Sequence, residues 1–222
     1  MRRHLTILLT GPSATLLEGW RRAWDPVMAA VVPAHVTLLY PEEALIRCPA
    51  DPAPVPEARH ETQATEQFPT PAEVRFVEPR QVEALAAETT PFRLRPGAVF
   101  TLDEGHGGVF VAVEDVDGAW AQLRRRLLGA ASGLTSATGG VTGLTSATGG
   151  VTGLTSEFPP HATVVHPRTS SRGPECWAAF RGMSLSGEFT VSEIVHTTTT
   201  AEVFTVEQRF PLLGSARGPT AP

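Results

Sequence analysis

Pro33-Ala-His-Val-Thr-Leu-Leu-Tyr-Pro41 and Pro159-Pro-His-Ala-Thr-Val-Val-His-Pro167 are two copies of one phrase, Pro-x-His-x-Thr-apolar-apolar-ring-Pro, set more than half the chain apart. An apolar run bounded by prolines reads as a short strand, because proline cannot donate to a sheet ladder and confines where pairing starts and stops. Residues i and i+2 of a strand share a face. His35 and Thr37 therefore point one way with Val36 and Leu38 behind them, and His161 and Thr163 repeat the arrangement over Ala162 and Val164. If the two strands lie side by side or across a cleft, two imidazoles and two hydroxyls converge. Hydroxyls can donate to the non-bridging oxygens of a phosphate. Imidazoles, titrating near neutrality, can exchange protons with attacking and leaving oxygens.

The tripeptide alone says little, since His4-Leu-Thr6, His60-Glu-Thr62 and His196-Thr-Thr198 also satisfy it. The prolines and the apolar pair carry the signal; at this composition those flanks arise by chance about once per thousand such sites. The remaining histidines are expected to be structural or solvated. His4 begins an edge strand without flanking prolines, His60 sits in a connection, His106 in a glycine turn, and His196 at a strand end. His166 has the opposite strand parity to His161 and is a minor candidate for touching a ligand.

Composition narrows the chemistry. The 222 residues suit one compact domain or two lobes sharing a core, and no apolar run approaches a membrane span. The N-terminal apolar stretch is too short for a secretory signal, so residues 4–10 are expected to form a first strand and the protein to be cytoplasmic. Cys48 and Cys176 have no metal-like spacing. A net charge of -5 argues against a broad grip on long duplex nucleic acid, while leaving an RNA end or a small nucleotide open. Every one of the 18 basic residues is arginine; the chain has no lysine and no asparagine, a bias expected of a GC-rich bacterial genome. Without lysine there is no nucleotidyl-lysine adduct, Schiff base or P-loop contact.

Helices are expected over Ser13 to Trp24, 79–89, 115–129 and 174–181, from their apolar spacing. Asp25-Pro26 interrupts the first. Strands are expected at 35–40, Phe92–Leu94, Val99–Leu102, Val109–Val113, 161–165, 186–196 and 201–210. Residues 48–72 read as a Pro-rich irregular connection. Gly133-Leu-Thr-Ser-Ala-Thr-Gly-Gly-Val-Thr142 recurs identically at 143–152, and a third copy begins at Gly153. Each unit is too short and too poor in apolar residues to build a core. The 133–156 repeat is therefore expected to be a flexible surface insertion, with a mobile lid as the rival reading. Residues 1–213 are taken as one domain including these two insertions, and 214–222 as a flexible tail.

The paired motifs resemble those of the 2H phosphoesterase superfamily, and within it the bacterial 2′-5′ RNA ligase family. Pro91-Phe-Arg-Leu-Arg95, Val191-Ser-Glu-Ile194 and Phe210-Pro-Leu-Leu213 are similar to further segments of that family, so the resemblance covers most of residues 4–213 apart from the repeat. It implies an α+β, bilobal pseudo-twofold fold, with two mainly antiparallel sheets and flanking helices around a central cleft. It also implies metal-independent, cofactor-free action on 2′,3′-cyclic phosphate or 2′-5′ linked RNA ends. The catalytic residues would be His35 and His161, with Thr37 and Thr163 holding the phosphate. His161 is taken as base and His35 as acid, although the symmetry leaves the reverse order open. Tyr40, of the wrong parity for the pocket floor, can stack a base at the rim, as can Phe158. Relatives place a basic residue soon after the second motif; here His166-Pro167 intervenes before Arg168. A monomer is expected. The alternatives weighed are a small cyclic-nucleotide phosphodiesterase, a silent nucleotide-binding module, and a metal site built from His35, His161 and His166.

Overall fold

A computed structural model describes residues 2–41, 43–47, 76–131 and 159–214. The expectations for 48–72, 133–156, His60, Phe158 and the residues after Gly214 fall outside them. The fold is mixed α/β, built on one curled antiparallel sheet of eight strands with five helices against it. The strands are β1 (Arg2–Leu8), β2 (His35–Leu39), β5 (Phe92–Thr101), β6 (Val109–Asp115), β7 (His161–Val165), β8 (Phe189–Val191), β9 (Glu193–Thr199) and β10 (Phe204–Pro211). A separate parallel pair is formed by β3 (Leu45–Ile46) and β4 (Phe76–Val77).

The sheet order is β10-β9-β1-β2-β7-β6-β5-β8, so the two motif strands are its central pair. Four strands lie on each side, which makes the two sheets of the expected bilobal fold the two halves of one continuous sheet. Between the halves the registered pairing is confined to Val36 opposite Ala162.

The helices α1 (Gly11–Trp24), α3 (Pro79–Glu88), α4 (Ala119–Ala131) and α5 (Gly173–Phe180) pack against strands of the sheet, while α2 (Pro26–Val31) lines a cleft on the histidine face. They cross between halves: α1, from the N-terminal half, packs on β7, and α4, from the C-terminal half, packs on β2. Each motif strand is thus supported by a helix of the other half. The core reflects this, with Leu17 of α1, Leu123 and Leu127 of α4, and Val36, Leu38, Ala162 and Val164 of the motif strands all buried in one cluster. An apolar face shared by helices of both halves removes the most surface from water when the halves stay together.

Three local features differ from the sequence expectation. Asp25-Pro26 ends α1 as expected but also starts a second helix at once: the Asp25 carboxylate accepts from the Met28 amide at 3.1 Å while Pro26 takes the first helical position. The two strands expected over 92–102 are a single strand, joined through a register irregularity between Pro96 and Val99. The strand expected over 186–196 is two, β8 and β9, in opposite halves of the sheet. Close by, Gly105 and Gly173 bring a turn and the start of α5 into backbone contact that a Cβ on either residue would block.

Candidate functional site

Both motif strands show the same burial sequence, partly exposed His, buried, partly exposed Thr, buried, buried. The parity expected from sequence holds in each. With Val36 opposite Ala162 in antiparallel pairing, extending the register by one residue sets His35 across from Thr163 and Thr37 across from His161. The two histidines are then diagonal neighbours, a relation that spans about 7–8 Å in a regular sheet and leaves room for one tetrahedral group.

The first proline of each phrase has a second use. The Pro33 carbonyl lies 2.8 Å from His35 Nδ1, and the Pro159 carbonyl 3.0 Å from His161 Nδ1. A carbonyl can only accept, so Nδ1 carries hydrogen in both rings, and Nε2 is the atom that takes or gives a proton.

Buried ion pairs hold these segments in place. Arg21 of α1, 1% exposed, donates to Glu18 at 2.8 Å and to the Val32 carbonyl at 2.5 Å. Glu18 in turn accepts from the Ala34 amide. The pair thereby grips the chain on both sides of Pro33, whose carbonyl orients His35. Arg124 of α4 pairs with Glu43 and donates to the Leu38 carbonyl at 2.5 Å, while Glu43 accepts from the Tyr40 amide at 3.1 Å. At the matching end of β7, fully buried Asp25 accepts from the His166 amide at 3.0 Å and from the Thr169 hydroxyl at 2.6 Å. The ring residue that closes each phrase is therefore held through its backbone by a buried carboxylate.

Those ring residues enter the site. The Tyr40 hydroxyl lies 3.4 Å from His161 Nε2, so Tyr40 reaches a motif histidine directly, where the sequence places it at the rim. The rings of Phe110 and Phe100 stand edge-on to His161, at 5.2 and 6.3 Å between centroids. His166 Nδ1 accepts from the Arg168 amide at 3.1 Å, which puts the proton of the neutral ring on Nε2.

A cleft of about 510 Å³ opens on this face, lined by His35, Thr37 and Thr163 and also by His4, His166 and Arg168. His4 corrects the sequence expectation. Its strand is not an edge: β1 lies between β9 and β2, with Thr6 opposite Thr37 and His4 opposite Thr197. Hence a third His-x-Thr shares the motif face, and only the sheet topology reveals it. His196 is likewise buried in β9 instead of solvated at a strand end, whereas His106 is exposed as expected. Although the chain is acidic overall, no carboxylate lines the cleft among the described residues, and two arginines, Arg2 and Arg168, do.

Burial sets the protonation. It pushes His35 from 6.5 down to about 4, outweighing the Pro33 carbonyl that favours its proton; Arg21, His4 and His161 add to the lowering. Burial, aided by His196, also brings His4 to about 4. His161 is lowered by burial against the pull of Pro159, and His166 by burial against the pull of Asp25. Without an anion present, the face is neutral at physiological pH apart from its arginines. Among the described residues no group of three or more His, Cys, Asp or Glu side chains is arranged to hold a metal ion.

The family model described as "2'-5' RNA ligase superfamily" matches residues 10–200. Among solved structures, TT0787 of Thermus thermophilus superposes with a TM-score of 0.57 at 17% identity, covering 97% of this chain and 100% of that one. LigT of E. coli, in a complex with 3′-AMP, superposes with a TM-score of 0.50 at 14% identity, covering 95% of this chain and 96% of its own. No curated protein matches the sequence closely enough to count.

Proposed function

The chain belongs to the 2′-5′ RNA ligase superfamily, and from that premise we propose that it opens 2′,3′-cyclic phosphates on RNA ends or single nucleotides, without a metal, by proton exchange between His35 and His161. One observation carries the reading. The two His-x-Thr strands pair with each other at the centre of the sheet, each with its histidine Nδ1 tied to its own proline carbonyl, which makes Nε2 the nitrogen able to exchange a proton. The 3′-AMP held by LigT supports a nucleotide ligand on this fold.

In the proposed reaction a water oxygen attacks phosphorus and gives its proton to one imidazole. The bond from phosphorus to the 3′ oxygen breaks, and that oxygen takes a proton from the other imidazole, leaving a 2′-phosphate. Atoms balance as one water added, and solvent returns the two rings to their starting states. Thr37 and Thr163 donate to the non-bridging oxygens, where charge builds up in the transition state. We assign His35 as the base and His161 as the acid, the reverse of the order taken from sequence. The ground is local: burial together with Arg21 and His4 brings His35 down to about 4, so it is the ring that starts neutral and can accept the water proton.

The test is incubation with a 2′,3′-cyclic-phosphate-ended oligonucleotide and with 2′,3′-cyclic AMP, in chelator, with product identified by phosphorus NMR. The expected product is the 2′-phosphate from both. Turnover of the nucleotide alone would support the small-molecule reading. Binding without turnover of either would make the protein a nucleotide-binding module and overturn the proposal.

A further inference from the structure

The two phrases part company at their closing rings. Tyr40 follows β2 as His166 follows β7, and each is held through its amide by a buried carboxylate, Glu43 or Asp25. The Tyr40 carbonyl also accepts from the amides of Glu43 and Ala44, at 3.0 and 3.2 Å, so both backbone groups of the residue are fixed. From that base the phenol reaches across to β7 and sets its hydroxyl 3.4 Å from Nε2 of His161. His166, the counterpart, turns its ring to its own chain, where Nδ1 accepts from the Arg168 amide. The pseudo-twofold arrangement is therefore broken at one functional atom: the proton-exchanging nitrogen of His161 meets the hydroxyl of a closing ring.

We propose that Tyr40 is a positioning residue for the proton transfer at His161, and that its hydroxyl makes this ring the acid of the pair. The proposal rests on the phosphodiesterase reading and deepens it. Because the Pro159 carbonyl keeps a hydrogen on Nδ1, the Tyr40 O–H can donate to Nε2 only when the ring is neutral. In the acid step the Nε2 proton passes to the 3′ oxygen as its bond to phosphorus breaks. The ring is left neutral, and the phenol O–H turns to donate to the vacated Nε2, keeping its own proton throughout. While the ring is still protonated its Nε2–H faces the leaving oxygen, and a phenol oxygen, with a lone pair drawn into its ring, is a poor acceptor. A bond made mainly to the product of proton release strengthens an acid and weakens a base. The same hydroxyl on the base would oppose the reaction, so its place on His161 fits the order in which His35 takes the water proton. At 3.4 Å the bond is long in the resting protein and has room to tighten during reaction. Around His161, β2 contributes His35, while β6 and β5 contribute the uncharged Ala112, Phe110 and Phe100. Glu114, further along β6, is paired with Arg95, and α1, packed on β7, carries Glu18 and Arg21 paired with each other.

The pH dependence of kcat/KM on 2′,3′-cyclic AMP, compared between the unaltered protein and Tyr40→Phe, tests the proposal. The acid must start protonated, so activity falls as pH rises through the His161 titration of the free protein. Removing a bond to the neutral ring raises that titration, and the alkaline limb should move up by about 0.5–1 pH unit, the worth of one hydrogen bond. The plateau should fall a few-fold, because the acid is weaker. In a His161→Ala background, Tyr40→Phe should change the rate by less than about twofold, since the hydroxyl acts through that ring. An alkaline limb that stays in place would overturn the proposal. So would an equal loss in the His161→Ala background, which marks a purely structural role. A faster Tyr40→Phe protein would overturn it as well, by making His161 the base. Should the unaltered protein leave 2′,3′-cyclic AMP uncleaved, the phosphodiesterase reading fails, and titration of the His161 ring followed by NMR decides the rest. A titration that Tyr40→Phe leaves unmoved sinks the hydroxyl's hold on the ring; a rise upholds it.

Discussion

Removing the Glu18 side chain isolates the contribution of the grip on Pro33. In Glu18→Ala the Arg21 guanidinium, 1% exposed, keeps its charge and its bond to the Val32 carbonyl but loses its carboxylate, and the Ala34 amide loses its acceptor. Stripping one partner from a buried pair costs about 3–5 kcal/mol. Because Glu18 itself is 23% exposed and water can enter beside it, the lower end, about 3 kcal/mol, is expected. Glu18→Gln keeps an oxygen that can accept from both Arg21 and Ala34, and should cost only about 1 kcal/mol, the difference between a charged and a neutral acceptor. Urea unfolding followed by tryptophan fluorescence measures both. In the active protein, Glu18→Ala should also reduce kcat more than it raises KM, because the Pro33 carbonyl that orients His35 loses its anchor. A Glu18→Ala protein within about 1 kcal/mol of the unaltered one would refute the idea that this pair holds the first motif in place.

Tyr40→Phe removes the hydroxyl that meets His161 Nε2 at 3.4 Å. Since Nδ1 holds the ring hydrogen, that hydroxyl donates and favours the neutral ring. Its loss should shift the His161 titration to higher pH, read by NMR, with kcat down only a few-fold. Stability should fall on acidification through a defined window. His4 and His35 titrate near 4 in the folded protein against 6.5 unfolded, so the unfolded chain binds their protons first. Their contribution is complete above about pH 6.5 and is lost between there and pH 4; His35→Gln should flatten part of that slope in thermal melts. Cys176 is buried, and burial pushes its thiol up to about 12, so a disulfide reagent should label it only after denaturant is added. Rapid labelling of Cys176 in the native protein would contradict that placement.

The motif strands were readable in the chain because strand parity and proline boundaries are local properties. Both came out with the same alternation of burial, and all four motif residues share the central face. His4 was not readable: its flanks resemble those of any strand, and only the pairing of β1 between β9 and β2, with Thr6 opposite Thr37, brings it onto the motif face. His166 is only a minor candidate on strand parity because alternation stops at Val165, where the strand ends, and a residue just past a strand no longer follows its parity. The helix α2, which forms one wall of the cleft, was hidden because Asp-Pro reads equally as the end of one helix and as the cap and first residue of the next. Glu18, Arg21, Glu43, Arg124 and Asp25 look like ordinary surface charges along the chain. Their roles depend on partners up to 144 residues away, as for Asp25 and Thr169, which no local pattern encodes.

The central claim, a proton exchange shared between two histidines across one phosphate, is tested most directly by single-turnover cleavage of 2′,3′-cyclic AMP by the unaltered protein, His35→Ala, His161→Ala and the double variant. Acid–base partners acting as one unit each cost about 10²–10⁴-fold when removed, and the double variant should be little slower than the slower single. Undiminished cleavage by either single variant would contradict the account.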